Sequence, residues 1–129
     1  MGYYISTEVK GDFNEVVEKV IKELSNEGFG VLTEINITET LKKKLGVDLY
    51  NYKILGACNP PYAYKAIQAE NKIGTMLPCN VIVQEREGGK IEVSAVDPIA
   101  SMQAVKNESL EEIAIEISEK LKSVIVNVK

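Results

Sequence analysis

Apolar and polar residues alternate along two early segments, Tyr3–Val9 and Phe29–Ile37, and this period of two predicts β-strands. Between them, apolar residues recur at helical spacing over Phe13–Leu24, which predicts an amphipathic helix that Asp12 caps and Gly28 ends. In the second strand, every other residue from Phe29 onward should lie on one face. We expect the two strands to be parallel and joined by a right-handed crossover.

The middle of the chain predicts a short helix, a third strand and another helix. Thr38 is the expected cap of the short helix, which Gly46 ends, and the third strand is Tyr52–Cys58. Asn59 and the two prolines after it start the next helix, which runs to about Asn71, because Asn is a preferred cap and proline is tolerated in the first turn.

Two further strands, Cys79–Arg86 and Lys90–Val96, are predicted to form a hairpin because only Glu87–Gly89 separates them. A three-residue loop places Val83 opposite Val93, whereas a two-residue loop would place a polar residue there. The three-residue loop is therefore the prediction.

The last segment predicts a short helical turn after Asp97 and a long final helix. Ser109 and Glu112 form the expected capping box of that helix, and its buried stripe runs from Leu110 to Ile125. Residues 1–129 are thus predicted to form a single α+β domain. Its expected architecture is a two-layer arrangement, a mixed sheet of about five strands with helices packed on one face.

Composition limits the possible functions. The 129 residues include 15 Lys plus Arg and 19 Asp plus Glu, so the net charge of −4 argues against nucleic-acid binding. We expect no membrane span and no signal peptide, and therefore a cytoplasmic protein with reduced thiols. The chain has no histidine, which removes the commonest general base and zinc ligand and favours a role other than catalysis. We expect no cofactor and no metal.

The candidate chemistry lies in two Cys-Asn pairs, each with a cysteine at a strand end beside a proline. Cys58 ends a strand where a helix begins, a position that favours a thiolate, although the prolines remove N–H groups there and a buried packing role is the alternative. Asp97 should lie across from Cys79, and helix capping is its simpler role. The ligand-binding candidates are Cys58, Asn59, Pro60, Cys79, Asn80 and Asp97.

Whether the two cysteines meet depends on the fold, which the sequence leaves open. If they do, a disulfide or a soft-metal pair for Cu(I) becomes possible, but two thiolates are fewer than the four ligands of a structural zinc site. Tyrosines flank the third strand and the helix after it, and they could line a pocket or a partner surface, or pack in the core.

Four sequence blocks carry a resemblance to a known family: Glu27–Ile35, Leu55–Pro60, Leu77–Val81 and Asp97-Pro98. In this order they resemble a prokaryotic family named only as domain of unknown function 302. The resemblance implies a compact α+β fold, a homodimer, a setting near thiol or sulfur handling, and no assigned reaction.

These observations favour a homodimeric ligand-binding or thiol-dependent sensing domain whose site surrounds the Cys-Asn pairs. One alternative is an enzyme or sulfur carrier that uses Cys58 as its nucleophile, with a carboxylate, lysine or water as the base. The other is a purely structural interaction protein. The expected partners are a second copy of the chain and a small-molecule ligand, with neither nucleic acid nor membrane.

Overall fold

Five strands form one antiparallel sheet in the computed structural model, which describes residues 2–129. The strands are β1 (Tyr4–Lys10), β2 (Gly30–Asn36), β3 (Tyr52–Cys58), β4 (Cys79–Glu85) and β5 (Lys90–Val96). Their order across the sheet is β1-β5-β4-β3-β2, and every neighbouring pair is antiparallel. The α+β class is confirmed, but the expectation of a mixed sheet is wrong.

The helices connect the strands and cover one face of the sheet. They are α1 (Phe13–Asn26), α2 (Ile37–Leu45), α3 (Pro60–Ala69), α4 (Pro98–Ser101) and α5 (Glu108–Asn127), with short 3-10 turns at Ile73–Met76 and Glu87–Gly89. Buried apolar residues of α1 and α5, such as Leu24 and Leu121, pack against buried residues of the central strands, such as Val81 and Val93. None of the helices within residues 2–129 combines the length and apolar character needed to cross a membrane.

The first two strands run in the same direction, as predicted, but they do not pair, because β1 and β2 lie at opposite edges of the sheet. Strand direction reverses at each of the four neighbouring pairs between β1 and β2, so these two strands point the same way although they are not in contact. The β4–β5 hairpin and β3 lie between them, and β5 pairs with β1, with Thr7 opposite Val93. Long-range pairing of this kind leaves no mark on the local pattern of either strand.

The short helix α2 begins earlier than predicted. Its cap is Asn36, whose side chain accepts a hydrogen bond from the Glu39 amide at 3.0 Å. Thr38 lies inside the helix, where its hydroxyl donates to the Tyr50 carbonyl at 2.7 Å and accepts from the Tyr52 amide at 2.8 Å. Thr38 therefore fastens α2 to the start of β3 instead of capping the helix.

The cap of the last helix is also displaced from the predicted Ser109. Asn107 accepts a hydrogen bond from the Ser109 amide at 3.0 Å, and its side-chain amide donates to the Ala69 carbonyl at 2.8 Å. One side chain thus starts α5 and ties it to the end of α3. The predicted buried stripe is confirmed: Leu110, Ile113, Ala114, Ile117, Leu121, Val124 and Ile125 are all buried.

A bulge in β2 breaks the alternation predicted from Phe29 onward. Val31 pairs with Ala57, but the register then shifts, so that Thr33 pairs with Gly56 and Ile35 with Ile54. Val31 therefore lies on the helix-covered face, whereas Thr33 lies on the open one. A prediction from strict two-residue alternation cannot detect the extra residue that a β-bulge inserts into a strand.

The predicted hairpin register is confirmed. Val83 pairs with Val93 and Val81 with Ala95, and the Arg86 amide bonds to the Lys90 carbonyl at 2.7 Å to close the three-residue loop. Both Gly88 and Gly89 adopt positive φ angles, 73° and 74°, which glycine adopts without steric cost.

Candidate functional site

The two cysteines lie together at one end of the sheet, where β3 ends and β4 begins. These strands are antiparallel neighbours, and Ala57 pairs with Cys79, so Cys58 is only one residue beyond that pair. Cys58 is half-buried, Cys79 is buried, and both are free thiols. Both line a single cavity of about 270 Å³. The topology thereby decides the question of whether they meet.

The wall of this cavity is almost entirely apolar. The helix layer contributes Ala63 and Ala66 of α3, Met102 at the end of α4, and Ile113, Ala114 and Ile117 of α5. The lining residues include no charged side chain, and their polar groups are confined to the two thiols, Asn59 and the phenol of Tyr62. Exposed Leu32 and Ile67 mark the side on which the cavity opens. Such a wall excludes ionic organic ligands, because burying an unpaired charge is costly.

The Cys79 thiol is held in its protonated form. Burial, with a smaller contribution from the nearby Cys58, raises the pKa of the Cys79 thiol from 9.0 to about 11. Since the thiolate is the nucleophilic form, Cys79 is a poor nucleophile at neutral pH. The more accessible Cys58 is therefore the sulfur in this pair that can meet a reagent from solvent.

Asn59 contributes to the architecture of the site in a way the sequence did not predict. It stands at the cap position of α3, but its side chain makes no capping hydrogen bond. Its amide donates instead to the Glu27 carbonyl at 3.1 Å, at the turn between α1 and β2. Asn59 thus joins this turn to the β3–α3 junction that carries Cys58, which makes it a positioning residue.

The other candidates do not line the cavity. Pro60 is exposed, and Asn80 lies on the open face of the sheet, where it lines a separate groove. The Asp97 carboxylate caps α4 by accepting from the Ile99 amide at 3.0 Å, and it also accepts from the Ser118 hydroxyl at 3.3 Å. The residue after it, Pro98, lines the cavity, but Asp97 does not. Helix capping is therefore the role that the structure supports for Asp97.

Sequence reasoning missed the helix-borne part of the wall, above all Met102. A signal was nevertheless present, because Ala57, Ala63, Ala66 and Ala114 put small side chains at the wall, and small side chains leave space between packed layers. Of the tyrosines, Tyr62 lines the cavity, Tyr64 is exposed, and Tyr50 and Tyr52 stack with ring centroids 6.1 Å apart elsewhere.

Comparison with known proteins identifies the fold family. The model of the family described as "Domain of unknown function DUF302" matches residues 5–128. The chain belongs to the DUF302 family. A solved structure of an uncharacterized conserved DUF302 protein from Bacillus stearothermophilus superimposes on it with a TM-score of 0.91. The two share 29% sequence identity, and the match covers 98% of each chain. No functionally curated protein matches this DUF302 chain.

Proposed function

We propose that this DUF302 protein is a thiol-dependent ligand-binding or sensing domain whose site is the apolar cavity at the joint ends of β3 and β4. The single observation that carries the proposal is that both cysteines of the chain line that one cavity. Cys58 is the sulfur that meets the ligand, and buried Cys79 stands behind it. An apolar wall with two thiols suits a ligand that is itself apolar or that bonds to sulfur.

Alkylation selectivity tests this proposal. We expect N-phenylmaleimide to label Cys58 faster than 3-maleimidopropionate does. The ratio of these two labelling rates should be at least about tenfold higher on the protein than on a short peptide carrying the same cysteine. Burying the phenyl ring in the cavity contributes more free energy than the ~1.4 kcal/mol that corresponds to a tenfold change in the rate ratio. Cys79 should stay unlabelled until the protein unfolds. Rates resolved by peptide mass provide the measurement.

Two alanine variants provide the control for this experiment. Ala63→Leu fills the cavity from α3 and should remove the preference for the phenyl reagent, whereas Ala104→Leu, at an exposed position outside the wall, should leave it unchanged. Equal selectivity for protein and peptide, or the same result for both variants, would contradict the proposal.

The proposal also includes the homodimer that the family resemblance implies. It is supported by the sheet face opposite α1 and α5, which presents half-buried Ile82 on the central strand β4 beside Ile54 and Tyr52 of β3. We expect sedimentation velocity to give the mass of a dimer and Ile82→Glu to give a monomer, because a buried carboxylate would be left unpaired. Ile115→Glu, at an exposed isoleucine of α5, should remain dimeric. A monomeric wild-type protein would disprove this part.

A further inference from the structure

Among residues 2–129, three sulfur-containing side chains line the cavity. They are both cysteines and Met102, one of the three methionines. The three come from different elements, since Cys58 ends β3, Cys79 begins β4 and Met102 follows α4. Cys79 and Met102 are each only 8% exposed. Segments that are distant in sequence therefore contribute three sulfur atoms, which are soft metal ligands, to the wall of the same cavity.

The two thiols are neighbours within this cavity. Cys58 follows Ala57, the residue that pairs with Cys79, and both cysteines line the same cavity. Met102 belongs to the helix layer that closes the cavity above the sheet.

This set of donors is selective for one class of metal ion. Hard cations take oxygen ligands, and no carboxylate lines the wall. Zinc takes four ligands drawn largely from histidine and cysteine, and the chain has no histidine. Within residues 2–129, no group of three His, Cys, Asp or Glu side chains is placed to hold a metal. Thiolate and thioether sulfurs favour Cu(I).

The number of donors also suits Cu(I), because zinc would need a fourth ligand that the wall lacks. Cysteine binds a metal as the thiolate, so in the binding step each of the two thiols exchanges its proton for the metal ion. Two S–H bonds break, two S–Cu bonds form, the Met102 thioether donates a lone pair, and both protons go to solvent with no change of oxidation state.

We propose that this cavity binds one Cu(I) ion through the sulfur atoms of Cys58, Cys79 and Met102. The inference rests on the proposed function, because it uses the same cavity and names its ligand. Half-buried Cys58 takes up the ion from solvent, and the two buried sulfurs complete its coordination.

Anaerobic competition with bicinchoninate, a coloured Cu(I) chelator, tests the inference on the full-length protein. We expect the wild-type protein to withdraw one equivalent of Cu(I) from the chelator, with the same sedimentation mass before and after loading. Binding should release protons, which isothermal calorimetry in buffers of different ionisation enthalpy measures. No withdrawal of Cu(I), or a mass that doubles on loading because the metal bridges two chains, would overturn the inference.

Methionine variants give the matched control. Met102→Leu keeps the volume but removes the sulfur and should weaken Cu(I) binding by roughly tenfold, while Met76→Leu, at an exposed methionine outside the wall, should leave it unchanged. Cys58→Ser and Cys79→Ser should each weaken it by at least the 10- to 100-fold that is typical for loss of an outer-shell partner. Equal affinity of Met102→Leu and Met76→Leu, or of Cys58→Ser and wild type, would overturn the site. Met102→Leu and Cys58→Ser suffice if Cys79→Ser does not fold.

The alkylation experiment separates the two proposals. If Cys58 reacts preferentially with the phenyl reagent but the protein withdraws no Cu(I) from bicinchoninate, the metal site is disproved and the proposed thiol-lined ligand site is supported. If Cys58 shows no selectivity, the cavity does not bind through Cys58, and both proposals fall.

Discussion

Gly56→Ala should lower the free energy of unfolding by about 3 kcal/mol, at the upper end of the usual cost of overpacking a core. A Cβ atom at this position would overlap the hydroxyl oxygen of Thr33 and lie 2.9 Å from Cγ of Pro78. The Thr33 side chain and the Pro78 ring must therefore shift where β2, β3 and the start of β4 meet, beside both cysteines. Urea unfolding followed by circular dichroism measures the change.

The neighbouring strand offers a matched control. A Cβ atom on Gly30 in β2 meets nothing within 4 Å, so Gly30→Ala should leave stability unchanged or raise it by about 0.4–1 kcal/mol. Because the closest atom to the added methyl belongs to Thr33, the double variant Gly56→Ala/Thr33→Ala should recover part of the loss. Equal stability of the Gly56→Ala and Gly30→Ala variants would show that this corner of the sheet is not tightly packed.

Stability should fall between pH 9 and pH 11 because of Cys79, whose pKa rises from 9.0 to about 11 on folding. Below pH 9 both the folded and the unfolded chain hold the proton, and the stabilisation of the thiol is fully present. Between the two values the unfolded chain loses the proton that the folded chain keeps, so the unfolded state gains relative stability. The expected loss is roughly 2 to 3 kcal/mol.

The variant Cys79→Ala isolates this effect from other groups that titrate at high pH. Tyrosines and lysines contribute alike to both proteins, so the stability advantage of wild type over Cys79→Ala should shrink by roughly 2 to 3 kcal/mol from about pH 8 to about pH 11. A difference that stays constant with pH would mean that the Cys79 thiol is not buried in the native protein.

Local sequence signals predicted several elements because the interactions behind them are local. The β4–β5 hairpin has the predicted register, since a short loop and facing valines permit few pairings. The stripe of α5 is buried as its spacing predicted. Errors occurred where two nearby residues could serve the same role, as with Asn36 and Thr38 at the start of α2.

The sequence by itself determined the helices, the strands, the α+β class, and the two Cys-Asn pairs as the candidate chemistry. Tertiary structure alone decided the strand order, because pairing across the sheet depends on contacts between distant segments that have no local periodicity. By placing β3 beside β4, that order brought Cys58 and Cys79 to one cavity, and the packing of α4 and α5 added Met102 and the apolar wall. A shared site is a property of the assembled layers, since each strand or helix supplies only one part of its wall.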